Sequence, residues 1–487
     1  MSQKKFIEAL LDSIIANARL SLFLITLFGL ILRLVLFSGM GASDDLGYSE
    51  YAYRIGQGID PDSTLTLSTR LGTVYSTYFS YKLFGVNDFS SIFFVLEMSI
   101  ANIVLAFYFG KLLFNEKIGL LTAFLLSFFP LEVVYATKLY SDLPSAFFMS
   151  IGVYFFLYSE MKSRLKCNAG YLLSGLFIGI AYTFKESALL IALFFLLYIL
   201  YNKKIKIEYF LVPLGVLVVI FAESLAFLGL TGDPLFRFHV SQEYLAESTI
   251  AHDYFGRLDF PQGLLHYPYV ILTDNLISVY YILIFIAILY FLINKKKETF
   301  YPVFWFIALL LYLSFGSANL TQYIPFKATA RYLEIITIPG ILLLSCFIAE
   351  KYSSKKRLTA ILLAFLLISS VAFASLREDR NQLGDLRQAY ESIKYADKAV
   401  YTDSRSVKAL AYIDKFENKV KAMEYPDDFS AVKDSYVIVN KKMIKSLKAA
   451  NKNRIFQKEI ENAPEGWVKI NQIGAEDDDK ITIYYVH

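Results

Sequence analysis

Runs of about 20 mostly apolar residues recur along the first three quarters of the chain, separated by short polar breaks. The hydrocarbon core of a bilayer is roughly 30 Å thick and offers no water to backbone amides, so a crossing helix needs about 20 such residues. By that measure the pattern predicts eleven spans, near 20–38, 91–113, 118–136, 143–160, 170–184, 187–201, 209–229, 270–293, 300–317, 332–350 and 358–376. Basic residues then sort the breaks. Lys4, Lys5 and Arg19, then Lys111 and Lys117, Lys162, Arg164 and Lys166, Lys203, Lys204 and Lys206, Lys295 to Lys297, and Lys351, Lys355, Lys356 and Arg357 all fall on one side. Short cytoplasmic loops retain Lys and Arg, so that side is expected to be cytoplasmic, with the N-terminus on it and the C-terminus outside. The opposite loops are longer and sparser in cations, chiefly Arg54, Arg70, Lys82, Lys138, Lys185, Arg237, Arg257, Lys327 and Arg331. No small-residue cleavage pattern follows the first apolar run, Leu20 to Phe37, which reads as a retained transmembrane helix.

The pattern changes after Leu376. Residues 377–487 carry about 20 basic and 19 acidic side chains and no run long enough to span. Short β-rich stretches at Lys398–Tyr401, Tyr436–Asn440 and Ile481–Val486 alternate with helical ones at Ser406–Phe416 and Lys441–Ala450, the pattern of a small α/β unit. The expected organisation is a membrane body over 1–376 and an extracytoplasmic α/β domain over 377–487. Asp477, Asp478 and Asp479 read as a solvated turn before the last strand.

Composition agrees with a lipid setting: 56% of residues are hydrophobic and 19% charged, against roughly 25% charged in soluble proteins. The 48 Lys and Arg against 44 Asp and Glu are too balanced for a protein that binds nucleic acid by neutralising phosphates. Cys167 and Cys346 offer no CxxC spacing, so neither a disulfide framework nor a thiolate metal site is expected.

Candidate chemistry concentrates in the loops assigned outside. Segment 39–90 is too long and polar for a plain connector. It holds Ser43-Asp44-Asp45-Leu46-Gly47-Tyr48-Ser49-Glu50-Tyr51-Ala52. Adjacent carboxylates raise one another's pKa, bind a divalent cation or take a proton from a hydroxyl; Asp-Asp ahead of a helix is also an ordinary capping signal. Arg70, Lys185 and Arg331 lie on the side where charge statistics disfavour cations. A membrane-edge cation is a functional candidate, with snorkelling along lipid as the plain alternative. Lys185 and Glu186 also suit a self-neutralising pair at a turn.

These stretches resemble a known family. Membrane glycosyltransferases of the GT-C fold, in the branch of protein O-mannosyltransferases and the lipid A aminoarabinose transferase (glycosyltransferase family 39), carry an acidic pair of the type Asp-Glu-x-x-Tyr-x-x-x-Ala after their first helix, to which Asp44 through Ala52 is similar. The second acid differs here. A Lys-Pro-Pro-Leu element and a Lys-Leu-Phe-Gly ending follow in the family; this chain has Arg70-Leu71-Gly72, without the prolines, and Lys82-Leu83-Phe84-Gly85. Lys138-Leu139-Tyr140-Ser141-Asp142-Leu143-Pro144, Tyr182-Thr183-Phe184-Lys185-Glu186-Ser187 and Ala330-Arg331-Tyr332-Leu333-Glu334 with Pro339 match later family motifs in order. The resemblance covers roughly residues 20–350.

What it implies is an inverting glycosyltransferase that moves a sugar from an undecaprenyl- or dolichyl-phosphate donor to an acceptor lipid, glycan or protein outside the cytoplasm. Asp44 would be the base, with Asp45 beside it; Arg70, Lys185, Arg331 and Tyr332 would bind the donor phosphate; Asp142 and Glu132 would position the acceptor or a metal, whose identity stays unknown. No cofactor is certain, and a divalent cation stays open. The rival readings are a polytopic transporter or lipid flippase, which would place its polar groups near mid-bilayer, and a polysaccharide ligase or polymerase. His239, His252 and His266, near Asp253 and Asp259, suit zinc by ligand type but not by spacing. Asn319-Leu320-Thr321 has the glycosylation-acceptor form. Glu97, Glu132 and Glu223 sit in or near spans, and Glu97 reads as a structural hydrogen-bonding residue.

Overall fold

A computed structural model of the protein describes residues 17–59, 66–161, 167–250, 261, 263–317, 323, 326–376, 382–426, 429, 432–444, 464, 466–474 and 480–487. The apolar runs form helices that begin where the sequence supplies a cap. The Asn17 side chain accepts from the Arg19 and Leu20 amides to open α1 (Ala18–Val35). Two shorter helices follow, α2 (Asp44–Gly56) and α3 (Leu71–Phe84), the second ending at Gly85 with φ 69°. A reciprocal Asn87–Ser90 capping box starts α4 (Asp88–Leu113), and Asn115 caps α5 (Glu116–Phe128). Phe129 turns extended before Pro130, which fits the first position of a new helix, α6 (Pro130–Tyr135). The expected span 118–136 is therefore broken in two.

The body continues through α7 (Asp142–Met161), α8 (Cys167–Phe184), a 3₁₀ turn (Glu186–Ile191), α9 (Ala192–Asn202), α10 (Leu211–Thr231), α11 (Phe236–Ile250), α12 (Gly263–Thr273), α13 (Ser278–Asn294), α14 (Phe300–Phe315), a second 3₁₀ turn (Ala330–Ile336), α15 (Thr337–Ser354) and α16 (Lys356–Ser375). Among the described residues six helical stretches are long and apolar enough to cross a bilayer, or seven if α12 and α13, bent by 108°, count as one span. The chain is a multi-pass membrane protein. The expected eleven counted as full spans several segments that are short or interrupted: α9 has 11 residues behind a 3₁₀ turn, and α5 stops at Phe128. Periodicity and hydropathy do not report such breaks.

Lipid-facing helices gain nothing from burying one apolar surface against another, so close packing at small residues brings them together. At the α8–α10 crossing a Cβ added to Gly175 would overlap the Val212 carbonyl oxygen and lie 3.0 Å from the Gly215 Cα. The main core joins α4 to α9 and α12 to α15 around Phe109, Phe129, Phe194, Trp305 and Phe306, all fully buried.

The C-terminal unit holds α17 (Gly384–Ile393), β1 (Ala399–Thr402), α18 (Ser404–Ile413), β2 (Lys421–Glu424), β3 (Ser435–Asn440), β4 (Trp467–Ile473) and β5 (Ile481–Val486). Its sheet runs β2-β1-β3-β5-β4, with β1 parallel to β2 and β3, and β5 antiparallel to β3 and β4. The three expected strands are present within a residue; Lys421–Glu424 and Trp467–Ile473 add two more. This unit does not stand apart from the membrane body. One hydrophobic cluster joins Met40, Leu46, Tyr48, Tyr51 and Val95 to Leu386, Tyr390, Leu410 and Tyr412. Asp477 to Asp479, His252, Asp253, Arg257, Asp259, Asn319 and most of Lys441–Ala450 lie outside the described residues.

Candidate active site

The residues singled out from sequence stand at helix ends, and the fold gathers those ends at one end of the bundle. Asp44 and Asp45 open α2, Arg70 immediately precedes α3, Asp142 opens α7, Lys185 follows α8, and Arg331 and Tyr332 lie on the 3₁₀ turn before α15. Gly72 lets two of these ends meet: a Cβ there would stand 2.6 Å from Thr183 Oγ1 and 2.7 Å from the Phe184 ring, two residues before Lys185.

The two neighbouring carboxylates part company. Asp45 is fully buried, and its oxygens accept from the backbone amides of Gly41, Ser43 (3.0 Å) and Leu46 (3.1 Å). It fixes the loop into α2 through that loop's own amides and turns away from Arg331. Burial raises its pKa despite those amides. Asp44 points the other way, with a third of its side chain exposed, and accepts from Arg331 Nη2 at 2.8 Å. Burial works to raise the Asp44 pKa, but the Arg331, Arg70 and Lys185 charges outweigh it and hold the carboxyl below its ordinary value. One residue type at adjacent positions thus serves two purposes.

Asp142 ties the cations together. It pairs with Lys185, and its other oxygen lies 3.8 Å from Arg331 Nε. Tyr332 lies under both cations, 3.6 Å from Lys185 Nζ and 5.5 Å from the Arg331 guanidinium, whose other aromatic contact is Tyr140 at 4.6 Å. Arg70 donates to Tyr48 Oη at 2.6 Å and Ser141 Oγ at 3.3 Å, and lies 3.6 Å from Glu186. Burial works against the Arg70 charge, yet Tyr48 and Glu186 hold its pKa above the usual value. Glu186 in turn accepts from Arg237 at 2.7 Å, and Arg237 donates to Glu223 at 2.6 Å. The result is a chain of alternating charge in which each carboxylate faces at least one cation.

Sequence reasoning missed Tyr48, Ser141, Tyr140, Glu186 and Arg237 as members of this constellation. Tyr48 is one helical turn from Asp44, a spacing that puts both on one face of α2, and Tyr140 and Ser141 lie inside the Lys138–Pro144 stretch. Glu186 is no self-neutralising partner of Lys185: it turns to Arg237 and Arg70, leaving Lys185 to Asp142. Arg237 carried no local signal.

Glu132 is the site expectation that the structure places elsewhere. It is fully buried in the membrane body, accepting from Ser99 Oγ at 2.9 Å and Asn102 Nδ2 at 3.2 Å, beside Arg33 and Glu334. Arg33, also fully buried, donates to the same Ser99 and to the Gly29 and Ser127 carbonyls. This is an internal polar network separate from the Asp44–Arg331 cluster, reached through the break at Phe129 that starts a new helix at Pro130. Glu97 is exposed on α4. His239 pairs with Asp233 at 2.7 Å on the surface. The site carboxylates are already matched to cations, and among the described residues no three His, Cys, Asp or Glu side chains gather for a metal.

Residues 71–227 match the family model described as dolichyl-phosphate-mannose-protein mannosyltransferase. No curated protein matches the sequence. Among solved structures, ArnT from Cupriavidus metallidurans is similar over 95% of this chain and 97% of its own, with a TM-score of 0.60 at 13% identity. An Archaeoglobus fulgidus oligosaccharyltransferase, tethered to an acceptor peptide, is similar over 96% of this chain and 75% of its own, with a TM-score of 0.60 at 12% identity. The mycobacterial arabinofuranosyltransferase AftD is similar over 96% of this chain and 40% of its own, with a TM-score of 0.55 at 10% identity. The architecture is the GT-C fold of membrane glycosyltransferases.

Proposed function

We propose that the protein transfers a sugar from a polyprenyl-phosphate donor to a nucleophilic acceptor on the extracytoplasmic face of a membrane, with Asp44 as general base. The observation that carries this reading is the convergence of Asp44, Asp142, Lys185, Arg331 and Tyr332, drawn from four separate helix ends, on one constellation. Transfer from a lipid phosphate needs a base within reach of the acceptor and cations where the phosphate leaves. Both are present side by side.

In one step the acceptor oxygen or nitrogen attacks the anomeric carbon, the bond from that carbon to the phosphate oxygen breaks, and the acceptor proton passes to Asp44. The polyprenyl phosphate departs with the electron pair, its charge met by Arg331 and Lys185, and the anomeric centre inverts. Arg331 thus touches both base and leaving group, and Asp142 sets the distance between the two cations. Arg70 holds Tyr48 and Ser141 in place. A cavity of about 590 Å³ walled by Leu189, Ile191, Phe195, Tyr209, Val212 and Leu217 starts four residues past Lys185 and suits an apolar lipid tail. ArnT bound to undecaprenyl phosphate and the archaeal enzyme AglB in complex with dolichol-phosphate support the donor class.

The same reading puts the N-terminus in the cytoplasm and residues 377–487 outside, as a domain on the catalytic face. A transporter or flippase is not favoured, since these charges sit at helix ends. The test is transfer by the purified protein in lipid nanodiscs from labelled undecaprenyl- and dolichyl-phosphate sugars. Turnover that is lost in Asp44→Asn, with donor binding retained, supports the reading; wild-type protein that moves intact donor across vesicles without cleaving it refutes it.

A further inference from the structure

The membrane body and the C-terminal unit meet around a further cavity, of about 500 Å³, that the transfer reading does not use. On the body side its wall is Val86 to Phe89, at the turn between α3 and α4. On the other side it is Arg387 and Glu391 of α17, Tyr412 of α18, and Lys415 just beyond that helix. The volume equals roughly 17 waters at about 30 Å³ each, room for a phospholipid headgroup with its glycerol.

The place of this cavity points to lipid. Asp88 is the first residue of a helical stretch long enough to cross a bilayer, so the cavity stands at headgroup level, where a span meets water. Beside it the apolar surface is uncovered: Leu83, Phe84 and Phe89 are exposed, and the Phe84, Phe89 and Phe93 rings touch with centroids 5.1 to 6.0 Å apart. At the end of a span, an exposed apolar patch of this kind suits acyl chains.

The wall carries both signs of charge. Arg387 bonds Asp88 through Nη2 at 2.5 Å, which leaves its other guanidinium N–H groups, and Lys415 is exposed on the same wall. Both bonds that Asp88 accepts, from Arg387 and from Tyr412 Oη at 2.9 Å, fall on Oδ1, so Oδ2 keeps its accepting capacity. Glu391, one helical turn after Arg387, pairs with Lys394 through Oε2 and keeps Oε1. Cations for a phosphate and carboxylate oxygens for an ammonium thus share one cavity, the complement of a headgroup that bears both. The turn that carries Lys415 is strained: Lys415 and Phe416 take φ 58° and 61°, left-handed values that favour glycine. Phe416 stacks on Tyr53 of α2, ring centroids 4.7 Å apart, and Asp44 opens that helix.

We propose that this cavity binds the headgroup of a phospholipid with a primary ammonium, of the phosphatidylethanolamine type. Arg387 and Lys415 take the phosphate, Asp88 and Glu391 take the ammonium, and the acyl chains lie over Phe84 and Phe89. The bound lipid fastens the C-terminal unit to the membrane body. The site stands independently of the transfer reading.

The experiment measures lipid retention by the full-length protein in native mass spectrometry, with phosphatidylethanolamine, phosphatidylcholine and phosphatidylglycerol as probes, on wild type, Lys415→Gln and Glu391→Gln. Both side chains are exposed, so neither substitution threatens folding. Choline has no N–H to donate and the glycerol headgroup has no positive charge. Wild type is therefore expected to hold phosphatidylethanolamine about tenfold more tightly than either, the worth of one charge-assisted hydrogen bond. Lys415→Gln should weaken that binding about tenfold through the phosphate. Glu391→Gln should weaken it by a similar factor through the ammonium while leaving phosphatidylcholine retention unchanged. Equal retention of the three lipids by wild type, preference for phosphatidylglycerol, or phosphatidylethanolamine binding unchanged in either variant overturns the proposal. If wild type transfers no sugar from any donor yet holds phosphatidylethanolamine through both residues, the transfer reading fails and this site stands.

Discussion

Arg331 donates to Asp44 across 287 residues of chain, at 2.8 Å, and that single contact joins the first polar segment after α1 to the last 3₁₀ turn of the membrane body. It places the carboxylate proposed as base against a cation that also reaches Asp142 at 3.8 Å. A carboxylate held this way is ionised at neutral pH and fixed in direction, both of which a general base needs.

Asp44 and Asp45 are expected to fail differently when neutralised. Asp44→Asn removes the proposed base and should lower turnover by about 10²- to 10⁴-fold, the usual contribution of a positioned base, with only a small fall in melting temperature from the lost Arg331 ion pair. Asp45→Asn keeps the base but weakens the amide contacts that fix the loop, so its signature is a lower melting temperature. Turnover and thermal unfolding measured on both variants separate the roles. Equal turnover loss with equal stability in the two would contradict the division.

The pH profile follows from the depressed Asp44 pKa. A depressed carboxyl contributes stability that is present above its unfolded value of about 3.9 and lost as pH falls through the lower folded value. Asp44 is therefore charged throughout the neutral range, and kcat/KM should show no acid limb from this group above about pH 5. In Arg331→Gln the largest opposing charge is gone, burial dominates, and the acid limb should move upward. A pH–rate profile whose limb stays in place in that variant would show that Arg331 does not set the Asp44 charge.

Much of this site was legible because membrane insertion makes charge conspicuous. Arg70, Lys185 and Arg331 stood out against the charge asymmetry of the loops, and Asp44 and Asp142 at helix starts. What could not be read was direction. Adjacent residues on a helix point about 100° apart, so Asp44 meets Arg331 while Asp45 meets its own backbone, and sequence treats the two alike. Glu132 was misplaced for a related reason: the interruption at Phe129 and Pro130 re-aims the next turn, and hydropathy passes over it. Arg237 belongs to the network only through tertiary packing of α11 against α8 and α10, which no local pattern encodes.

The C-terminal unit is expected to hold the catalytic loop in place. Gln382 Oε1 accepts from the Ala42 amide at 3.2 Å, two residues before Asp44. A hydroxyl chain runs from Ser49 through Tyr81 (2.5 Å) and Ser91 (2.8 Å) to Tyr412 (2.9 Å), and Tyr412 donates to Asp88 at 2.9 Å, where Arg387 also bonds. Gln382→Ala and Tyr412→Phe should each cost about 1 kcal/mol. Hydrogen exchange over residues 39–59 should speed up and kcat should fall, with little change in donor KM. Unchanged exchange in both variants would reduce the unit to a passive cover.

The helix packing that carries the site makes its own demand at Gly175. A methyl group there meets the Val212 carbonyl and the Gly215 Cα, both backbone, so no side chain can swing aside. Overpacking typically costs about 1–3 kcal/mol, and separating α8 from α10 also moves Phe184 and hence Lys185. Gly175→Ala should therefore lower both melting temperature and turnover. Gly229 gives the opposite expectation: it lies on α10 with nothing within 4 Å of an added Cβ, so Gly229→Ala removes only backbone freedom and should be neutral or stabilising by up to about 1 kcal/mol. Thermal unfolding of the two variants in the same lipid decides the matter, because helix propensity favours alanine equally at both positions. A stable Gly175→Ala protein would mean that the α8–α10 contact is looser than drawn and does not set the position of Lys185.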